Sequence, residues 1–352
     1  MTQTMKKVYT IMVLLLAVLT APAQRMMEGA TYYLPKTTVN VVLRMEKTTV
    51  VPGMLNEYSE RFMKKADAAS EPSVRWRLLS ADIVPSAIPD TTKRYTVRMD
   101  NKHSIQRVSL SEDGIILAVN ADGQPQQVRK PFVAAEKPKP LDAHDYMNQD
   151  ILAAGSRAKM AELVAQEIYD IRESRSLLSK GQADFMPKDG DQLRIMMQSL
   201  DVQEAALMQV FTGTTTCDTM EVVLNYVPEK EVSRQVLFRF SSHFGLTDAD
   251  DLSGEPYYLS VIDLHQVVDN AAIAEGKLPK DNAEVYVNLP GRIRMELSRG
   301  EKTVAACEMM ATEFGRTESL DNELFGKKIF TQLIYHPLTG SIQHVKSELT
   351  KK

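Results

Sequence analysis

Hydrophobic and polar positions follow a helical period only in the middle of the chain, over residues 145–213. Within residues 151–179 the apolar positions recur three and four apart, which predicts an amphipathic helix that ends near Gly181. A second helical stretch follows the Pro- and Gly-containing turn at residues 187–190. We expect that stretch to break at Asp201, where the sequence fits a capping box. The pattern therefore predicts a helical hairpin.

On both sides of the hairpin, apolar and polar positions alternate as they do in half-buried strands. Residues 39–46 alternate in this way, although Val42 falls on the polar side, and residues 292–297 alternate without interruption. Pro85 and Pro89 are expected to end the strand that begins near Val74, because proline cannot donate to a strand ladder. Many short strands between turns favour antiparallel sandwiches or barrels.

These elements predict an α+β, mostly β fold, in which two antiparallel β-rich lobes are joined by the central helical hairpin. A polar segment with four prolines precedes the hairpin and is typical of a linker. The predicted organisation is a signal peptide over residues 1–23, an N-terminal β-rich domain over 24–130, a Pro-rich linker over 131–141, the helical hairpin over 142–213 and a C-terminal β-rich domain over 214–352.

The first 23 residues have the features of an export signal. Lys6 and Lys7 precede a short apolar run, and small residues at positions 21–23 precede Gln24, the predicted mature N-terminus. The apolar run is too short to span a bilayer as a helix, and no later stretch is apolar enough. No cysteine follows the run to carry a lipid. We expect an exported protein, periplasmic or envelope-associated, that is not a lipoprotein and has no transmembrane segment after cleavage.

The charge of the chain restricts its possible partners, and its cysteine content limits the possible disulfides. The formal net charge is -4 and no basic cluster stands out, so nucleic acid is not expected as a partner. The two cysteines, Cys217 and Cys307, allow one disulfide in an exported protein. The alternative is that both are small buried apolar side chains.

Common catalytic motifs are absent from the sequence. It contains no nucleophile elbow, no phosphate-binding loop and no dinucleotide fingerprint, and it predicts no cofactor. A pair of carboxylates for glycoside hydrolysis stays open as an alternative, because the fold and not the spacing brings such a pair together.

Arg157 and Arg175 are the candidate binding residues. Both fall near the middle of the apolar stripe of the first predicted helix. Either the stripe leaves the core at both helix ends, so that the guanidinium groups reach water, or the arginines pair with a carboxylate or an anionic ligand.

Asp248, Asp250 and Asp251 form a weak candidate metal site. A calcium-binding loop needs an oxygen ligand at its fifth position and glycine at its sixth. Leu252 and Ser253 occupy those positions, so the pattern does not match and a solvated turn is the favoured explanation of the cluster.

Several segments resemble a domain-of-unknown-function family, number 4831, of exported Bacteroidetes proteins. The matching segments are residues 31–36 (TYYLPK), 46–49 (EKTT), 160–165 (MAELVA), 168–169 (IY), 171–175 (IRESR), 187–190 (PKDG) and 211–213 (FTG). The resemblance covers most of the chain after residue 23 and implies a cell-envelope setting in a Gram-negative bacterium. It implies no activity, cofactor or catalytic residue.

The sequence therefore favours an exported cell-envelope binding or interaction protein that is not an enzyme, with an envelope protein or a glycan as its partner. The alternative function is a hydrolase that acts on a glycan through a carboxylate pair.

Overall fold

The structure is a computed structural model that describes residues 29–99, 103–137, 139–265 and 285–349. The predicted signal peptide lies outside the described residues. The helices are α1 (Ser59–Met63), α2 (Gln149–Leu152), α3 (Arg157–Lys180) and α4 (Gly190–Thr212). The strands are β1 (Gly29–Val51), β2 (Ser73–Arg98), β3 (Val108–Leu110), β4 (Ile116–Val119), β5 (Thr214–Tyr226), β6 (Val232–Ser241), β7 (Gly245–Thr247), β8 (Glu255–Asp263), β9 (Tyr286–Arg299), β10 (Lys302–Ser319), β11 (Ile329–Tyr335) and β12 (Ile342–Leu349).

The strands form three antiparallel sheets. Sheet 1 has the order β2-β1-β5, sheet 2 the order β10-β9-β8-β6-β7, and sheet 3 the order β12-β11-β4-β3. The predicted α+β, mostly β fold with a helical hairpin at its centre is confirmed.

Strands from before and after the helical hairpin share sheets. The first strand, β1, pairs with β5 from Val39 opposite Tyr226 to Val51 opposite Thr214. In sheet 3, β11 pairs with β4, with Leu333 opposite Val119. The N-terminal and C-terminal β-rich segments are therefore joined by backbone hydrogen bonds as well as by the hairpin.

The expected break at Pro85 and Pro89 is wrong, because β2 runs through both residues. The backbone N–H and C=O of Ala87 bond a side chain outside the sheet, so they point away from β1. Pro85 and Pro89 lie two residues before and after Ala87, and every second residue of a strand points its backbone groups to the same side. Their nitrogens therefore face the outer edge of β2. Proline is tolerated there because no ladder hydrogen bond is lost.

The expected break at Asp201 is also wrong, because α4 is continuous from Gly190 to Thr212. Asp201 does not cap a helix; its carboxylate lies 2.7 Å from the guanidinium of Arg175 on α3. The first helix begins later than expected, since Ser156 caps α3 by accepting a hydrogen bond from the Lys159 N–H. The expected end is confirmed: Gly181 has a left-handed φ of 69°.

Sheets 1 and 2 pack face to face over a shared core. Val41 and Leu43 from sheet 1 and Leu259, Ile293 and Met295 from sheet 2 are fully buried in it. The two long helices have a core of their own, and sheet 3 packs on the N-terminal part of β1. Because sheet 2 covers one face of sheet 1, the opposite face, called here the outer face, remains for another element.

Candidate functional site

The outer face of sheet 1 forms the floor of the candidate site. Val39, Val41 and Leu43 point into the sandwich core, so the alternate positions Asn40 and Val42 of β1 point outward. Val84 of β2 lies opposite Asn40, and Val223 of β5 lies opposite Val42. Valine side chains therefore make much of this floor apolar.

Residues 124–137 cross this outer face, and we call them the strap. At its start, the side-chain amide of Gln126 accepts a hydrogen bond from the Ala87 N–H at 3.1 Å and donates one to the Ala87 carbonyl at 3.2 Å. The amide of Gln126 thus occupies the place of a neighbouring strand at the edge of β2. Val42, beneath the strap, is only 2% exposed although it lies on the outer face.

Arg129 attaches the strap to β5 on the other side of the sheet. Its guanidinium donates to both carboxylate oxygens of Glu221, at 2.6 and 2.7 Å. Arg44 of β1 approaches the same carboxylate at 3.4 Å. The hydrogen bonds from Arg129 are the main reason that the pKa of Glu221 lies below its usual value. Planar two-point pairing of this kind fixes orientation as well as position.

Two further contacts continue the attachment. The guanidinium of Arg44 lies 4.8 Å from the centre of the Phe132 ring, which is a cation–π contact. Lys137 pairs with Asp218 of β5. Thus Phe132 and Lys137, within the predicted linker at residues 131–141, lie against sheet 1.

A groove of about 790 Å³ lies between the floor, the strap and the turn that joins β11 to β12. Its volume is typical of a small-molecule site. Its lining includes the amide side chains of Asn40, Gln124, Gln126, Gln127 and Gln343. Gln126 is hydrogen-bonded to Ala87, whereas no described residue forms a hydrogen bond with the other four amides. The groove therefore presents hydrogen-bond donors and acceptors that are available to a ligand.

His336 adds a further polar group to the groove. Its Nδ1 atom is buried and has no hydrogen-bond partner among the described residues. The side chain lines both this groove and an adjoining cavity of about 380 Å³. A buried polar atom without a partner costs about 1–3 kcal/mol, so this nitrogen destabilises the turn between β11 and β12.

Glu221 is the only carboxylate among the described residues that line the groove. It is 7% exposed and held by Arg129 and Arg44, which keep it ionised. Another cavity, of about 330 Å³, is lined by Trp76, and its one described carboxylate, Glu255, is paired with Arg299. Among the residues that the structure describes, neither cavity has the pair of carboxylates that glycoside hydrolysis requires.

The predicted binding residues lie elsewhere, on the helical hairpin. Arg157 bonds the carbonyl oxygen of Met54 and lies 3.4 Å from Glu57. Arg175 lies 2.7 Å from both Asp201 and Glu204, and its hydrogen bond with Asp201 is the main reason that its pKa is raised. Both arginines are partly exposed and pair with carboxylates of this chain, and neither lines the groove.

The three aspartates of the weak metal candidate lie in an exposed turn. The carboxylate of Asp251 accepts a hydrogen bond from the Ser253 N–H at 2.9 Å, and this bond lowers its pKa. Asp248 and Asp250 are exposed as well. In the described ranges, no group of three side chains is arranged to hold a metal ion.

Both cysteines are free thiols in the structure. Cys217 is exposed on β5 of sheet 1, with its sulfur 3.8 Å from the Thr48 hydroxyl. Cys307 lies on β10 of sheet 2, where burial raises the pKa of its thiol. The structure therefore contains no bond between the two sulfurs, and Cys217 is not the buried side chain that the alternative expected.

The fold and the groove together define a mostly β protein with a strap-covered sheet face. The model of a family described as "Domain of unknown function (DUF4831)" matches residues 28–343, and the chain belongs to this family. The resemblance found in the sequence is thereby confirmed. No curated protein and no solved structure matches the chain. None of the helices in the described ranges has the length and apolar character needed to cross a membrane.

Proposed function

We propose that the protein is an exported, non-catalytic binding protein of the cell envelope whose ligand occupies the groove beneath the strap. The observation that carries this proposal is the groove itself, where four amide side chains that no described residue bonds lie along an apolar floor. Most ligand sites combine an apolar lining with a few polar groups that fix orientation. The export part of the proposal rests on the signal pattern of residues 1–23.

The chemistry of the groove fits an uncharged, polar chain such as a glycan. Amides donate and accept hydrogen bonds without contributing charge. Arg129 and Glu221 neutralise each other, while Lys130 is the other charged side chain of the lining. Val84 and Val223 would contact the apolar faces of sugar rings, and Asn40, Gln127 and Gln343 would bond their hydroxyl groups.

A glycan-acting hydrolase has less support. The general acid of such an enzyme needs a raised pKa, and a second carboxylate must lie within about 5–10 Å of it. In the described lining of the groove Glu221 stands alone, and its pKa is lowered.

The test is thermal unfolding of the protein from Gln24, with and without neutral oligosaccharides and peptidoglycan fragments. A ligand at 100 times its dissociation constant adds about 2.7 kcal/mol, which raises the unfolding midpoint by about 4 °C for a chain of this size. In Gln127→Ala, which removes a groove amide, we expect an unchanged midpoint without ligand and a smaller shift with it. Gln198→Ala, at an exposed glutamine of α4, is the matched control.

Two results would count against this proposal. If no member of the panel shifts the midpoint, a glycan ligand is excluded at the concentrations tested. If Gln127→Ala and a further variant, Gln343→Ala, both keep the full ligand-induced shift of the midpoint, the ligand lies outside the groove. Cleavage of a bound glycan during incubation would favour the hydrolase.

A further inference from the structure

The last strand, β12, forms one edge of sheet 3. Its inner side pairs with β11 from Leu349 opposite Ile329 to Ile342 opposite Tyr335. All eight of its residues are exposed, and no other described strand pairs with its outer side. An unpaired edge carries a row of backbone donors and acceptors that can pair with another strand.

The side of β12 that continues the core face of sheet 3 carries uncovered apolar side chains. Val345 lies opposite Leu333, which is buried in the sheet 3 core, and Ser347 bonds the hydroxyl of Thr331 at 3.0 Å. On this same face, Val345 is 45% exposed and Leu349 is 80% exposed. The apolar face of the sheet thus extends past the part that the described chain covers.

The opposite face of β12 carries a charge pattern. Lys346 and Glu348 lie 2.7 Å apart, with side chains 58% and 62% exposed. Antiparallel pairing of two copies of β12 about Ser347 would place Lys346 opposite Glu348 of the second copy, and Glu348 opposite its Lys346. It would also place Val345 opposite the second copy's Leu349 on the core face. Both faces of the strand are therefore complementary to themselves in this register.

Neighbouring registers lack this complementarity. Pairing about Lys346 sets two lysines opposite each other, and pairing about Glu348 sets two glutamates opposite each other, both of which are destabilising. A shift by one residue places Val345 opposite Glu348 and breaks the apolar match. The charge pattern thus selects Ser347 as the centre.

We propose that two copies of this protein associate through β12, pairing antiparallel about Ser347 and joining two copies of sheet 3 into one continuous sheet. The partner is a second copy because the strand is complementary to itself in charge on one face and in apolar contact on the other. The association does not depend on the groove or its ligand.

Charge reversal tests this arrangement. In Lys346→Glu or Glu348→Lys, both cross-copy pairs become repulsive, and we expect dimerisation to weaken by about tenfold or more. The double variant Lys346→Glu/Glu348→Lys restores opposite charges in the same register and should restore dimerisation. Lys302→Glu, on the edge strand β10, is the matched control and should leave dimerisation unchanged.

The measurement is sedimentation velocity of the protein from Gln24 over a concentration series reaching the millimolar range, with thermal unfolding to check that each variant folds. A wild-type protein that stays monomeric at every concentration would overturn the proposal. The edge of β12 would then be open to pairing with a strand of another protein. It would also be overturned if both single variants dimerise as the wild type does, or if the double variant fails to recover.

Discussion

At the scale of single residues, Glu313 on β10 is a half-buried acid with incomplete pairing. Its Oε1 atom accepts hydrogen bonds from the Thr37 N–H at 2.9 Å and from the Thr312 hydroxyl at 3.0 Å. Its Oε2 atom is buried and has no partner among the described residues. Burial is the main cause that raises its pKa above 4.5, so the fold favours the protonated carboxyl group.

Glu313 should therefore make the free energy of unfolding depend on pH. Because its folded pKa is raised, its contribution to stability is complete below about 4.5 and is lost as the pH rises through the folded value. Glu313→Gln imitates the protonated form. We expect its unfolding free energy, relative to wild type, to increase from acidic to neutral pH in denaturant titrations. Glu301→Gln, at a fully exposed side chain, should show no such trend; an equal trend there would contradict the assignment.

At the scale of elements, the strap depends on a few side-chain contacts and not on a ladder of backbone hydrogen bonds. Four side chains each hold one point along the strap, namely Gln126, Arg129, Phe132 and Lys137. Segments with few buried contacts open more readily than the sheets beneath them. The strap can therefore loosen while sheet 1 stays intact, which would let a chain-like ligand enter from the side.

Arg129→Met should release the centre of the strap. Glu221 would keep only the weaker contact with Arg44, so we expect faster chymotryptic cleavage after Phe132 and little change in amide hydrogen exchange over β1 and β5. Arg194→Met, which removes an exposed ion pair on α4, is the control. An unchanged rate of cleavage after Phe132 would show that Arg129 does not hold the strap.

The second prediction at this scale concerns the junction between the helices and sheet 1. Gly213 lies between α4 and β5 with φ +76°, and a methyl group there would lie 2.1 Å from the carbonyl oxygen of Val51. Gly213→Ala should therefore lower the free energy of unfolding by about 2 kcal/mol or more, as measured in denaturant. Gly155→Ala has open space around the new methyl group and should differ little from wild type. Equal effects of the two would refute the close approach.

Local patterns in the sequence predicted the helical hairpin but not the groove. The apolar period of α3 and the glycine that ends it are local features, so the hairpin was predictable. The strap is irregular, and Gln126 and Arg129 are positioned by Ala87 and Glu221, which are distant in sequence. Val42 was the one local signal, because an apolar residue on the polar side of a strand indicates that this face is also covered.

At the scale of the whole molecule, the pairing of strands makes the two β-rich segments depend on each other. Without β5, the central strand β1 of sheet 1 would become an edge, and without β11 the short strands β3 and β4 would lose the rest of sheet 3. Two short strands alone are marginally stable in water. The sandwich core would also lose every side chain that sheet 2 contributes.

A fragment ending at Gly213 should consequently fail to fold cooperatively. Trp76 is the only tryptophan and packs against Gly245, so its fluorescence reports whether sheets 1 and 2 are in contact. We expect the fragment from Gln24 to Gly213 to show the emission of a solvent-exposed tryptophan and no sharp unfolding transition. The protein from Gln24 to the C-terminus should show emission at a shorter wavelength, because Trp76 is half-buried, and one unfolding transition. A fragment with a sharp transition and the shorter-wavelength emission would show instead that residues 24–213 form an independent folding unit, with the shared sheets assembling afterwards.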